Sequence, residues 1–101
     1  MDLKTIYGRK QYQWRYESGV TCIDTNEGTL MLNDTARKIW ELINGKRTVE
    51  QILETMVEEY KAENEESFIK EVTDETIEML LQNGLIEEQD DGMFEGWIEY
   101  E

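Results

Sequence analysis

The chain has 101 residues and a net charge of −14, with no histidine and no proline. That length suits one domain spanning residues 1–101, and 39% hydrophobic with 34% charged residues is the balance of a globular chain rather than a disordered one. The lack of histidine excludes Ser/His/Asp triads, Cys/His pairs and histidine metal sites, and no stretch approaches the roughly 20 apolar residues of a membrane span.

Met1 to Thr5 carries no apolar signal core, so cytoplasm is the expected compartment. Tyr12 to Glu17 alternates aromatic and polar side chains, the period-2 pattern of a half-buried strand, and Ser18-Gly19 then signals a turn. Val20 to Thr25 alternates again and is rich in β-branched residues. Cys22, the lone cysteine, has no internal disulfide partner and is expected as a small buried strand residue. Asn26-Glu27-Gly28 makes a second tight turn into a short third strand, Thr29 to Leu32. Three strands with such short links predict an antiparallel meander.

Asn33 or Asp34 caps the first predicted helix, whose Ala36, Ile39, Trp40 and Ile43 recur at helical spacing. Asn44-Gly45 stops it. Thr48, with Gln51 three residues on, forms a capping box for the second helix, where Val49, Ile52, Leu53, Met56, Val57 and Tyr60 draw one core-facing stripe. Lys61 to Ser67 reads as a polar loop or the frayed start of a third helix. That helix is predicted over 68–82, with Ile69, Val72, Ile77, Leu80 and Leu81 apolar and Thr73 and Thr76 interrupting. Asn83-Gly84 ends it, and Leu85-Ile86 folds back onto the core. The tail, residues 85–89 and 93–100 about Asp90-Asp91-Gly92, predicts a hairpin carrying Trp97 and Tyr100. The expected fold class is α+β: a winged helix-turn-helix with an N-terminal three-stranded antiparallel sheet, three helices and a C-terminal hairpin.

The charge is unevenly spread. Residues 1–47 hold eight Lys/Arg against six Asp/Glu, whereas residues 48–101 hold Lys61 and Lys70 against eighteen Asp/Glu. A phosphate-binding face needs cations the second half does not have, so nucleic acid is not expected as a partner. A winged-helix transcription regulator is the alternative reading, and the third helix speaks against it, because acids outnumber its single base, Lys70. Paired acids such as Glu58-Glu59 and Glu87-Glu88 read as solvated faces rather than as an acid/base couple, since neighbours on a helix diverge. No catalytic residue, metal ligand or cofactor is expected.

Leu32-Asn33-Asp34-Thr35-Ala36-Arg37-Lys38-Ile39-Trp40-Glu41-Leu42 resembles the Leu-Asn-x-Thr-Ala-x-x-Ile-x-x-Leu signature of the PqqD-like family. Residues Asn44 to Ile52 resemble that family's Asp-Gly-x-x-Thr-Val-x-x-Ile stretch, and Asn83-Gly84-Leu85-Ile86 its closing Gly-Leu-Ile. The similarity runs from about Tyr12 to Ile86. Asn44 departs from the usual aspartate, Thr76 from a common large apolar residue, and the segment after Gln89 is longer than in short members. The resemblance implies a recognition element for ribosomally synthesised, post-translationally modified peptides (RiPPs), without DNA binding. It implies that the leader of a precursor peptide adds as a strand to the sheet edge, sinks side chains between the third strand and third helix, and is presented to a modifying enzyme, radical SAM enzymes with iron–sulfur clusters being one such kind.

Strand addition suits the residues. The third strand lies at an edge of the meander, carries no charge and no proline, and nothing in it blocks pairing. Leu30 and Leu32 share one of its faces, assigned to the core; Thr29 and Met31 share the other, with Met31 the expected groove residue. On the third helix Ile69, Thr73, Thr76 and Ile77 fall on one broad face. The expected peptide site is therefore Gly28, Thr29, Leu30, Met31, Ile69, Thr73, Thr76 and Ile77. Trp40 is expected in the core, Trp14 beneath the sheet or facing outward.

Overall fold

A computed structural model describes residues 3–89. The elements run β1 (Ile6–Arg9), β2 (Gln13–Glu17), β3 (Val20–Thr25), β4 (Gly28–Leu32), α1 (Asp34–Leu42), α2 (Val49–Tyr60), α3 (Glu66–Gln82) and β5 (Ile86–Gln89). They form an α+β arrangement of three helices and two antiparallel sheets, one in the order β2-β3-β4 and one of β1 with β5.

The meander is the one expected. Ser18 and Gly19 both have positive φ, +53° and +80°, the two-residue turn whose twist matches that of its flanking strands. That turn closes on the pair Glu17–Val20 and so fixes which backbone groups bond. Opposed pairs alternate between bonded and non-bonded along an antiparallel ladder. Val20, Cys22 and Asp24 therefore bond toward β2, and Thr21, Ile23 and Thr25 toward β4.

Side-chain faces follow the same register. Trp14, Ile23 and Leu30 form one row on the helix-facing side, and Tyr16, Thr21 and Leu32 the next. Ile23 and Leu32 are fully buried there. Arg15, Cys22 and Met31 line up on the opposite side. Cys22 is buried as expected, between Arg15 and Met31 as its cross-strand partners.

Helix boundaries follow capping chemistry. The Asn33 side chain accepts the Ala36 N–H at 2.8 Å and starts α1. Thr48 and Gln51 cap α2 reciprocally, Gln51 N–H to Thr48 Oγ1 at 3.2 Å and Thr48 N–H to Gln51 Oε1 at 2.9 Å. Thr48→Ala is expected to cost about 1 kcal/mol, read as a lower urea midpoint at unchanged slope. α3 begins at Glu66, two residues before the predicted start, so the polar run is mostly loop with its last residues helical. It ends with Leu85 N–H on the Leu80 carbonyl and Gly84 N–H on the Leu81 carbonyl, with Gly84 at φ +73°. This six-to-one and five-to-two pair is the Schellman stop, and it turns Leu85 and Ile86 into the core.

One strand was missing from the sequence reading. Ile6–Arg9 pairs with Ile86–Gln89, so the first arm of the predicted hairpin has its partner at the other end of the chain. The second arm, with Trp97 and Tyr100, lies outside the described residues. β1 is short and buries two consecutive residues, Tyr7 and Gly8, so no alternation marks it. The segment before it lends its carbonyls to the start of α2: Thr5 accepts from Val49 N–H and Leu3 from Glu50 N–H, both at 2.9 Å. The core unites Ile39, Trp40 and Ile43 with Val49, Ile52 and Met56 of α2, Ile77 and Leu80 of α3, and Ile23 and Leu32 of the sheet.

Candidate functional site

β4 has β3 as its single strand neighbour among the described residues. The bonding parity sends the backbone groups of Gly28, Leu30 and Leu32 inward to β3, which leaves the N–H and C=O of Thr29 and Met31 directed to the free edge. The strand carries no charge, no proline and no bulge to block a further strand.

Just past the end of β4 lies a cavity of about 240 Å³, between the start of α1, the end of α2 and the first half of α3. Its walls include Asn33, Tyr60, Phe68, Val72 and, of the eight residues predicted for the site, Ile69 and Thr73. Phe68 is 54% exposed, an aromatic ring left open to solvent at the cavity. The Thr73 hydroxyl donates to the Ile69 carbonyl at 2.8 Å, so it offers no free donor to a ligand.

The remaining predicted residues are divided. Ile77 is fully buried, Thr76 half-buried, and neither lines the cavity. Leu30 is half-buried on the helix-facing side, as assigned. Met31 is 69% exposed on the opposite face, beside Cys22 and Arg15, because its neighbours Leu30 and Leu32 take the inward positions. It therefore stands on the edge but away from α3, and the structure does not bring it together with Ile69 and Thr73. Sequence reasoning missed Phe68, Val72 and Tyr60 as cavity residues. The signal was present: Phe68 and Val72 are four apart on α3, and Tyr60 closes the apolar stripe of α2.

Electrostatics fix the outer side of the edge. Arg15 donates from Nη1 to both carboxylate oxygens of Asp24, at 3.0 and 2.8 Å, and the Thr29 hydroxyl donates to Asp24 Oδ1 at 3.0 Å. The Arg15 hydrogen bond, and then that from Thr29, hold the Asp24 carboxyl below its ordinary value. Its contribution is thus present above the unfolded carboxylate's range and is lost as pH falls through the lowered folded value. The group is exposed, so it orients Thr29 rather than stabilising the fold appreciably.

In the α1–α2 link, Asn44 Oδ1 accepts the backbone N–H groups of Lys46 and Arg47 at 3.0 and 3.1 Å. An aspartate would accept the same two bonds, which accounts for the exchange at this position. Among the described residues no helix is long and apolar enough to cross a membrane, and no group of three or more His, Cys, Asp or Glu is placed to hold a metal.

Among the described residues, β4 thus presents an uncharged sheet edge with one strand neighbour, beside a helix-walled cavity in a small α+β domain. Residues 20–86 match the model of the PqqD family, described as coenzyme PQQ synthesis protein D. The match covers more than half of the chain, and the chain belongs to that family. Membership ties it to biosynthesis of the PQQ or RiPP kind. Neither a curated protein nor a solved structure matches the chain.

Proposed function

We propose that this protein binds the leader segment of a ribosomally synthesised precursor peptide by strand addition at β4 and presents it to a modifying enzyme. The observation that carries the reading is the outward-facing backbone of Thr29 and Met31 next to the cavity beneath α3. Backbone pairing supplies affinity without regard to sequence, and a leader side chain seated against Phe68 and Val72 supplies selection. The three helices with the sheet are read as a winged helix-turn-helix turned to peptide recognition in the cytoplasm. In this reading the chain contributes no catalytic group and needs no cofactor; the chemistry belongs to the partner, a radical SAM enzyme being the kind the family suggests.

The charge of α3 favours a peptide over nucleic acid. Glu66, Glu71, Asp74, Glu75 and Glu78 surround a single cation, Lys70, which is itself paired with Glu66 at 2.9 Å. A duplex would meet repulsion along that helix.

The test is to search the genes beside this one for a short precursor reading frame and to titrate a synthetic leader from it into the protein by calorimetry. Phe68→Ala is expected to weaken leader binding by about tenfold while the melting temperature holds, because the ring is exposed in the free protein. An unchanged affinity would remove the cavity from the site, and no binding by the unaltered protein would remove the function.

A further inference from the structure

The other open edge of the three-stranded sheet belongs to β2, and its chemistry differs from that of β4. All five residues Gln13–Glu17 are exposed, and β3 is their single strand neighbour among the described residues. The parity set by the Ser18-Gly19 turn points the backbone of Gln13, Arg15 and Glu17 toward β3 and that of Trp14 and Tyr16 outward. The side chains of those two residues lie on the helix-facing side, yet Trp14 is 47% and Tyr16 61% exposed. Charges that would blunt such an edge are on the other face, where Arg15 is held by Asp24 and Glu17.

Beside this edge is a cavity of about 330 Å³ lined by Arg9, Lys10, Gln11, Tyr12, Trp14 and Trp40. The Arg9 guanidinium lies over the Trp40 ring, 5.6 Å from its centroid, and neither Arg9 nor Lys10 has an ion-pair partner among the described residues. Two adjacent cations without an ion-pair partner among the described residues stand out in a chain of net charge −14. The buried Trp40 Nε1 has no acceptor among the described residues. Further along, the Arg37 guanidinium lies 5.7 Å from the centre of the Tyr16 ring. An outward-facing backbone flanked by aromatic rings and by the cations Arg9 and Lys10 complements an extended segment in which carboxylates alternate with apolar side chains.

We infer that the β2 edge is a second docking surface and takes an acidic extended segment of a partner protein. Naming that partner as the modifying enzyme rests on the function proposed above; the chemistry of the edge does not. The ladder forms on Trp14 and Tyr16, their rings hold the apolar side chains, and Arg9 and Lys10 pair with the carboxylates. Since β3 separates β2 from β4, both edges can be filled at once. β2 also lies outside the residues matched by the family, which begin at Val20.

The experiment is a nuclear magnetic resonance titration of the full-length, ¹⁵N-labelled chain at low salt with a capped synthetic peptide alternating glutamate and valine, against its lysine–valine counterpart. The expected result is amide shifts centred on Lys10, Trp14 and Tyr16, with the lysine peptide weaker by about tenfold or more. Arg9→Gln combined with Lys10→Gln should weaken the glutamate peptide by about tenfold, and Lys10→Gln alone serves if the double variant melts early. Equal affinity for both peptides, shifts confined to Thr29 and Met31, or Trp14 and Tyr16 amides already slow to exchange in the free chain would overturn the inference. The last outcome would mean that the chain's own residues or a second copy cover the edge. A leader that fails to perturb Thr29 and Met31 would sink the function at β4 and leave this titration unaffected.

Discussion

Trp40→Ala is expected to lower the stability of the fold by about 3–5 kcal/mol, the range for deleting a large buried aromatic. Trp40 is 1% exposed and lies where α1 meets the cluster that joins both other helices to the sheet. Domains of this size hold only about 5–15 kcal/mol in all, so the variant should unfold at a much lower denaturant concentration. Trp40→Phe should cost much less. It keeps most of the ring, and it removes an indole N–H that is buried without an acceptor among the described residues. Urea melts of the two variants check both statements; an alanine variant within about 1 kcal/mol of the parent would show that the site collapses around the deletion.

Thr29→Pro is expected to reduce leader affinity by more than any single side-chain truncation at the cavity. Proline removes the Thr29 N–H, one of the outward donors of β4, and its ring occupies the space where the added strand must sit. The ladder to β3 does not use that N–H, because Thr29 faces Asp24 across a non-bonded pair. The fold should therefore survive, with β3–β4 contacts intact by chemical shift. Leu30→Pro is the contrasting variant: its N–H bonds to β3, so it should damage the sheet itself. A leader that binds the Thr29→Pro protein as tightly as the parent would mean that strand addition at β4 does not occur.

Much of this architecture was legible because local signals agreed. Thr48 with Gln51 marked the start of α2, Gly84 the end of α3, and Ser18-Gly19 the register of the meander. Period two put Leu30 and Leu32 on one face, and Leu32 at the entry to the α1 motif assigned that face to the core. What escaped notice was non-local. β1 is defined by pairing with β5 some 80 residues away and by carbonyls given to α2, neither of which leaves a pattern in Ile6-Tyr7-Gly8-Arg9. Met31 was expected in the groove because it shared no face with the leucines. The register shows that the face opposite the core also points away from α3, and the cavity beside β4 is lined instead by residues at the start of α1, on α2 and on α3. Phe68 was predicted within a helix, but only the packing of α2 against α3 leaves its ring open at a cavity.

The central claim is that Thr29 and Met31 present unpaired backbone groups that a peptide completes. Amide hydrogen exchange at these two residues, in the free protein and at saturating precursor peptide, measures it directly. Fast exchange when free and strong protection when bound is the predicted result; protection already present in the free chain, or none on binding, contradicts it.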